Sequence, residues 1–290
     1  MRAAWGAVKA FYWKAYEVNL TGLSAMVAYN LLLSILPLAL VALFVAGRLL
    51  DSEELERAVL ADLGDVFPST AEDTIATALE RIRDSNTGFG VAALAASVWI
   101  GSSFWGALDT AFCAIYHVRC RSWLEQKRFA IAMLVVSLLL IAATVAVPTV
   151  QSALLAGAES LPFGLSEAPA VALGASLAIG LVLLFGVLCV VLWAVPNRLV
   201  PWRFVWPGAL AATGAIAVVD YGFPLYLSSA STLSTLGGTL VLTAIVLIWF
   251  YVVAIVILGG AVVNAMRFET AEGTAKRQLG EAAAPEPETL

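Results

Sequence analysis

The sequence predicts an all-α, polytopic membrane protein with six transmembrane helices, an N-terminal amphipathic helix and an extracytoplasmic helical hairpin. The first observation behind this prediction is composition, because 61% of the 290 residues are hydrophobic and only 13% are charged. A soluble domain has roughly 45–50% apolar and 25% charged residues. The second observation is that the apolar residues form long blocks, and a helix needs about 20 such residues to cross a bilayer. Together they exclude a disordered or collagen-like chain and argue against a soluble enzyme.

The N-terminal segment, residues 1–20, is predicted to be an amphipathic helix that lies in the membrane interface. Its aromatic and apolar residues have near-helical spacing, and Lys9 and Lys14 fall largely outside the face that they form. The residues of that face are Trp5, Val8, Phe11, Tyr12 and Tyr16. A partly ordered tail is the alternative interpretation.

Six apolar blocks within residues 21–266 predict the transmembrane domain. The blocks are residues 21–50, 88–116, 129–147, 169–195, 205–227 and 239–266. Because unpaired backbone groups are prohibitively costly in lipid, we expect each block to be a helix rather than part of an open sheet.

Two further segments complete the predicted organisation. Residues 51–87 contain apolar residues at helical spacing, a Phe67-Pro68 break and a capping Ser69 or Thr70, and so predict the helical hairpin. We expect this hairpin to cover the outer ends of the spans, and a functional lid is the alternative. Residues 267–290 are rich in Glu, Ala, Thr and Pro, and they predict a disordered cytoplasmic tail.

The distribution of basic residues predicts the orientation of the chain. Twelve of the 16 Lys and Arg residues fall in the N-terminal segment, the second-to-third and fourth-to-fifth connections, and the C-terminal tail. The positive-inside rule places these segments in the cytoplasm. An even number of spans also requires both termini to lie on the same side. The prediction is therefore a multi-pass protein of the bacterial inner membrane with cytoplasmic N- and C-termini.

Three stretches of the chain resemble those of a known family. Residues 28–37 are A-Y-N-L-L-L-S-I-L-P, similar to an A-Y-x-x-L-x-S-x-x-P pattern in a first span. The second stretch consists of Pro196-Asn197-Arg198, Trp202-Arg203 and Pro207-Gly208-Ala209. The third consists of Trp249-Phe250-Tyr251, Leu258-Gly259-Gly260-Ala261 and Asn264. In order and spacing these stretches resemble the YihY/BrkB family of bacterial inner-membrane proteins, over residues 5–268.

The resemblance implies six transmembrane helices and an inner-membrane location, but it implies no settled biochemical activity. Some relatives carry a ribonuclease BN label and others a virulence or serum-resistance label. Two positions depart from the family pattern. Gly237-Gly238 stands where the family commonly has Tyr-Gly, and Val262 stands where it often has Glu. A role that needs that Tyr hydroxyl or that carboxylate does not carry over to this chain.

The residues for nuclease or metal chemistry are sparse. A nuclease needs an acidic metal site or a paired acid and base beside a phosphate-binding surface. The only His is His117, and the dense acids of residues 51–84 lie on the side away from cytoplasmic RNA. Cys113, His117 and Cys120 have spacings that suit one helical face, but a structural zinc site is usually four-coordinate. We therefore predict that the protein has no ribonuclease activity, is not an enzyme and binds neither a metal nor a cofactor.

Polar residues inside the predicted spans are the candidates for a substrate path, because ionisable groups are costly in the bilayer. Asp220 lies in the outer half of the fifth span, and Asp109 lies near the cytoplasmic end of the second. Asn30 and Ser34 are four residues apart and share a face of the first span. For Asp109 the simpler interpretation is a carboxylate near the interface that reaches lipid headgroups or a loop arginine, Arg119 or Arg121. For Asp220 it is capping by a hydroxyl of a neighbouring span.

The basic cytoplasmic connections predict contacts with anionic lipid headgroups rather than with nucleic acid, because these residues lie in short loops tied to the membrane. The candidates are Arg119, Arg121, Lys127, Arg128, Arg198 and Arg203. Membrane lipids are thus the expected partners, and an oligomer is compatible with the sequence.

The predicted function is a transporter or export factor for a lipid or other amphiphilic envelope component. The alternatives are an ion or small-solute channel or carrier that uses Asp220 and Asn30, and a non-transporting scaffold for envelope assembly. No G-x-x-x-x-G-K-[ST] motif occurs, so ATP is not expected to drive transport directly. A lateral groove open to lipid would favour the first function, an axial pore the second and a large docking face the third.

Overall fold

A computed structural model describes residues 2–45, 88–158, 169–229 and 238–282, and these residues contain helices and no strands. This confirms the all-α prediction for the described part of the chain. The helices are α1 (Arg2–Glu17), α2 (Leu20–Phe44), α3 (Gly88–Gly101), α4 (Ser103–Tyr116), α5 (Trp123–Ala158), α6 (Pro169–Ala194), α7 (Trp202–Ser229) and α8 (Gly238–Ala282).

Five regions of these helices are long and apolar enough to cross a membrane: Leu20–Phe44, Ala92–Tyr116, Leu177–Ala194, Trp202–Asp220 and Ala244–Thr274. They correspond to five of the six predicted spans. The remaining predicted span, residues 129–147, falls on α5, and the count of six stays a prediction. The predicted hairpin, residues 51–87, lies outside the described residues.

Helix α1 confirms that the N-terminal segment is helical. Asn19 ends the turn into α2 with a left-handed φ of 52°, a conformation that Asn tolerates better than most residues, and its side chain accepts a hydrogen bond from the amide of Gly22 at 3.4 Å. Trp5, Tyr12 and Tyr16 are all more than 60% exposed. An aromatic surface of this kind suits the interface between water and lipid.

Helices α2 and α8 form the centre of the bundle. Helix α2 packs against α3, α4, α5 and α8, and α8 also packs against α4 and α7. Fully buried side chains from these helices fill the space between them: Val27, Leu108, Phe112, Leu258 and Val262. Helix α6 instead exposes large apolar side chains such as Val182 and Val190, as expected of a surface that faces lipid.

Helices α7 and α8 cross at a close contact between glycines. A Cβ atom on Gly208 would lie 2.3 Å from the carbonyl oxygen of Gly260, so this approach requires glycine. Asn264 bridges the crossing, because its amide accepts from the Gly208 N–H at 2.8 Å and donates to the Val205 carbonyl at 3.0 Å. Small residues and interhelical hydrogen bonds are the usual means of helix association in membranes.

The structure changes two of the predicted boundaries. Predicted span 88–116 is divided at Ser102 into α3 and α4. Helix α8 continues to Ala282, so residues 267–282, predicted to be disordered, are helical. Phe268 is buried and both Glu269 and Glu272 form ion pairs, so the first turns of this extension pack against the rest of the protein.

The end of α4 takes the three residues with metal-ligand chemistry off a common helical face, although the Cys113 and Cys120 side chains remain close together. His117 ends the helix with a left-handed φ of 50°, and residues 118–122 are irregular. Cys113, His117 and Cys120 therefore do not share one helical face. In the described ranges no group of three or more His, Cys, Asp or Glu residues is placed to hold a metal ion.

Candidate functional site

The break between α3 and α4 is occupied by the hydroxyl group of Ser34 from α2. In a continuous helix the Phe104 N–H would donate to the carbonyl of Ile100. Instead it donates to Ser34 Oγ at 3.1 Å, and Ser34 Oγ lies 3.3 Å from the Ile100 oxygen. Insertion of a side chain into the hydrogen-bond ladder is a recognised cause of helix kinks.

Two further contacts fix Ser34 in the break. Ser34 Oγ lies 2.6 Å from the carbonyl oxygen of Asn30 and 2.9 Å from Ser103 Oγ. Because a hydroxyl has one proton, it donates to Asn30 and accepts from Ser103 and Phe104. Gly101 permits the close approach, since a Cβ atom there would lie 3.3 Å from the backbone nitrogen of Leu38.

Beside this break, α2, α3, α4 and α5 enclose an open groove of about 310 Å³, which we call the lateral groove. Its lining residues are Met26, Asn30, Trp99, Ser102, Ser103, Gly106, Ala107, Thr110, Trp123, Gln126, Lys127 and Ala130. Trp99 and Trp123 are 49% and 69% exposed at its rim. The lateral groove thus combines polar groups with an aromatic opening at the surface of the bundle.

Among the described residues that line the lateral groove, Lys127 is the charged one. Its ammonium group donates to the Trp99 carbonyl at 2.6 Å and lies 4.0 Å from the centre of the Trp99 ring. The Trp99 and Trp123 rings are 5.9 Å apart. Asn30, a predicted path residue, lines the same groove and donates from its amide to the Met26 carbonyl at 2.9 Å.

Asp109 is fully buried and belongs to a polar network that adjoins the groove. One carboxylate oxygen accepts from Arg121 Nη1, which also donates to the Val195 carbonyl at 2.9 Å. The other oxygen accepts from Gln126 Nε2 at 3.2 Å, and Gln126 also contacts the Gly106 carbonyl at 3.2 Å. Of the partners considered for Asp109, Arg121 is therefore the one that contacts it among the described residues.

The other predicted headgroup residues lie apart from the lateral groove. Arg198 pairs with Glu272 and lies 4.7 Å from the Phe268 ring centre, and Arg203 lies 4.8 Å from that of Phe204. Arg119 and Arg128 are exposed. Their contact with lipid stays a prediction.

Asp220 lies in the C-terminal half of α7, which contains the fifth predicted span, and it is exposed. It does not join Asn30, Ser34 or Asp109 in one site within the described residues. A role for Asp220 in a substrate path stays a prediction.

Sequence reasoning missed two components of this region. Gln126 joins the Asp109 network to the groove, and Trp99 supplies both a ring and a carbonyl to Lys127. Tryptophans at a membrane boundary are common, so their number alone gave no signal for a specific groove. The interruption of the second span at Ser102 likewise has no signal in the residue types of α3 and α4.

Comparison with known proteins gives one family and several relatives. A family model described as virulence factor BrkB matches residues 12–285. A UPF0761 membrane protein of Ralstonia nicotianae is 28% identical over 87% of this chain and 56% of its own length. A UPF0761 membrane protein of Delftia acidovorans is 41% identical over 24% of the chain and 17% of its own length.

A third relative is closer to this chain in length. It is a Bacillus subtilis protein whose name describes it as ribonuclease-like, YfkH, and it is 28% identical over 84% of this chain and 88% of its own length. No solved structure matches the chain. This chain spans about half the length of the Ralstonia relative and a smaller part of the length of the Delftia relative.

Proposed function

This chain belongs to the virulence factor BrkB family of integral membrane proteins, and we propose that it transports or exports a lipid or other amphiphilic envelope component. The observation that carries the proposal is the lateral groove. An amphiphile must keep its head in a polar site while its tails remain in lipid, and this requires an opening on the side of the bundle. The lateral groove supplies polar lining residues and an exposed aromatic rim in one place.

The size of the lateral groove favours a headgroup over a whole lipid. Its volume of about 310 Å³ is at the lower end of the roughly 300–1,000 Å³ found for small-molecule sites. Acyl chains would remain outside, next to the exposed apolar residues Leu33 and Ile100 on α2 and α3. The break at Ser102 supports the same proposal, since irregular backbone inside a span is tolerated where it lines a cavity.

Transfer of fluorescent lipids across proteoliposome membranes tests this function. The full chain is reconstituted and the rate of lipid transfer is compared with that of protein-free vesicles. Gly106→Leu should slow the transfer about tenfold or more, because the new side chain occupies the lateral groove. The backbone accepts the change, since a Cβ atom on Gly106 meets nothing closer than Gln126 at 3.9 Å.

Gly214→Leu is the matched control. Gly214 is also a helical glycine, but it is exposed on α7 and a Cβ atom there meets nothing within 4 Å. This variant should transfer lipid as the unaltered protein does. A wild-type rate equal to that of empty vesicles, or equal rates for Gly106→Leu and Gly214→Leu, would reject the proposal.

A further inference from the structure

We propose that the lateral groove is a binding site for a phosphate-bearing headgroup with net negative charge, held by the ammonium group of Lys127. This inference rests on the proposed function and deepens it, because it assigns the chemical class of the head that the groove accepts. The other described lining residues of the groove are neutral.

Lys127 differs in its partners from three other cations of the described residues, which form ion pairs. Lys14 pairs with Glu269 at 2.9 Å, Arg121 pairs with Asp109, and Arg198 pairs with Glu272. Among the described residues, the polar partner of Lys127 is the neutral carbonyl of Trp99. A half-buried cation without a counter-charge loses hydration that a neutral partner only partly replaces. An anion in the lateral groove would supply that counter-charge.

The hydrogen-bonding capacity of the groove also suits phosphate. A lysine ammonium has three N–H donors, and one is used on the Trp99 carbonyl. Two remain for phosphate oxygens. One N–H of the Asn30 amide is used on Met26, which leaves its second N–H available. None of the described residues that line the groove is a carboxylate that would repel an anion.

The rim favours an anionic head over a quaternary ammonium head. Trp residues bind quaternary ammonium groups through their ring faces. Here the Lys127 ammonium already lies 4.0 Å from the Trp99 ring centre. A second cation at this ring would be repelled by Lys127, so phosphatidylcholine should bind less well than phosphatidylglycerol.

Equilibrium binding to the full-length, detergent-solubilised protein tests the assignment. The ligands are short-chain phosphatidylglycerol, short-chain phosphatidylcholine and inorganic phosphate, each titrated separately. The unaltered protein should bind phosphatidylglycerol about fivefold more tightly than phosphatidylcholine, which corresponds to the roughly 1 kcal/mol that a Lys gains near anionic lipid. Lys127→Gln should remove this preference and Lys127→Arg should retain it.

Lys9→Gln is the control for net charge, because Lys9 is exposed on α1 and remote in sequence from the groove. It should keep the fivefold preference. Equal affinity of the unaltered protein for the two lipids, or a preference that survives in Lys127→Gln, would overturn the inference. The comparison of the two lipids on the unaltered protein needs no variant, so it tests the inference even if Lys127→Gln folds poorly.

The inorganic phosphate titration separates the two sources of the anion. Weak binding of phosphate together with tight binding of phosphatidylglycerol supports a lipid headgroup, whereas equal affinity identifies a soluble phosphate and overturns the headgroup assignment. Lipid transfer without any headgroup preference would reject this inference and leave the proposed function standing. A headgroup preference that depends on Lys127, without lipid transfer, would support this inference and reject the proposed function.

Discussion

At the residue scale, the buried charge of Asp109 is explained by its partners. Its carboxylate is fully buried, and it is neutralised by Arg121, whose side chain is 16% exposed, and hydrogen-bonded by Gln126. Removal of one partner from a buried ion pair leaves an uncompensated charge, which costs more than the pair itself contributes. We therefore expect this network to stabilise the end of the bundle where α4 meets α5, rather than to carry substrate.

Arg121→Gln should lower the free energy of unfolding by about 3 kcal/mol, because it leaves the Asp109 carboxylate buried without a cation. Asp109→Asn should cost less, since Arg121 is partly exposed and keeps its bond to the Val195 carbonyl. Reversible unfolding in mixed micelles measures the free energy of unfolding of both variants. The double variant should recover much of the loss seen in Arg121→Gln. Strictly additive effects would show that the two residues do not form an energetic pair.

The identity of this pair could be only partly predicted from the sequence. The spacing of Asp109 before two arginines indicates an ion pair, but Arg119 and Arg121 are equivalent in a linear pattern. The choice follows from the chain after His117, which leaves the helix and brings the Arg121 side chain back to Asp109 and to Val195 on the segment after α6. Contacts between segments that are 74 residues apart have no periodic signal.

At the scale of elements, the interruption between α3 and α4 depends on a side chain from a third helix. Ser34 satisfies the Phe104 N–H that the interruption frees. Amphipathic spacing and hydrophobic length predict where helices lie, and they located α2, α3–α4, α6, α7 and most of α8. They do not predict this interruption, because Ser102 and Ser103 do not break a helix by themselves and the cause lies on α2.

Ser34→Ala should destabilise the protein by about 1 kcal/mol, because it leaves the part-buried Phe104 N–H without its acceptor. Ser24→Ala is the matched control, because Ser24 is buried on the same helix and donates to the carbonyl four residues earlier, Leu20, at 2.7 Å. Its described hydrogen bond stays within α2. Thermal unfolding of the two variants should therefore show the larger loss for Ser34→Ala. Equal losses would contradict a specific role at the interruption.

At the scale of the whole molecule, contacts between charged residues bear on the number of spans, because they show which segments lie at the same end of the bundle. The two ion pairs Lys14–Glu269 and Arg198–Glu272 join α1, the segment before α7 and the extension of α8. These three segments therefore lie at one end of the bundle, and they hold many of the basic residues that predict the cytoplasmic side. The second-to-third connection meets the same end, because Asn197 donates to the Arg119 carbonyl at 2.9 Å.

The topology of the chain depends on α5. Five spans would place the two termini on opposite sides of the membrane, whereas a sixth span on α5 returns the C-terminus to the side of the N-terminus. Helix α5 has 36 residues, or about 54 Å at 1.5 Å per residue, which exceeds the roughly 30 Å hydrocarbon core. We therefore expect α5 to cross the membrane completely.

Reporter fusions at two positions test this expectation in the intact protein. A fluorescent protein that folds only in the cytoplasm, fused after Leu290, should fluoresce, because 12 of the 16 basic residues are in the segments assigned to that side. Alkaline phosphatase inserted within residues 159–164 should be active, since this connection follows α5 and carries no Lys or Arg. Exchanging the reporters should abolish both signals. A C-terminus that activates the phosphatase would mean that α5 does not cross the membrane, and the twelve basic residues would then be divided between its two sides.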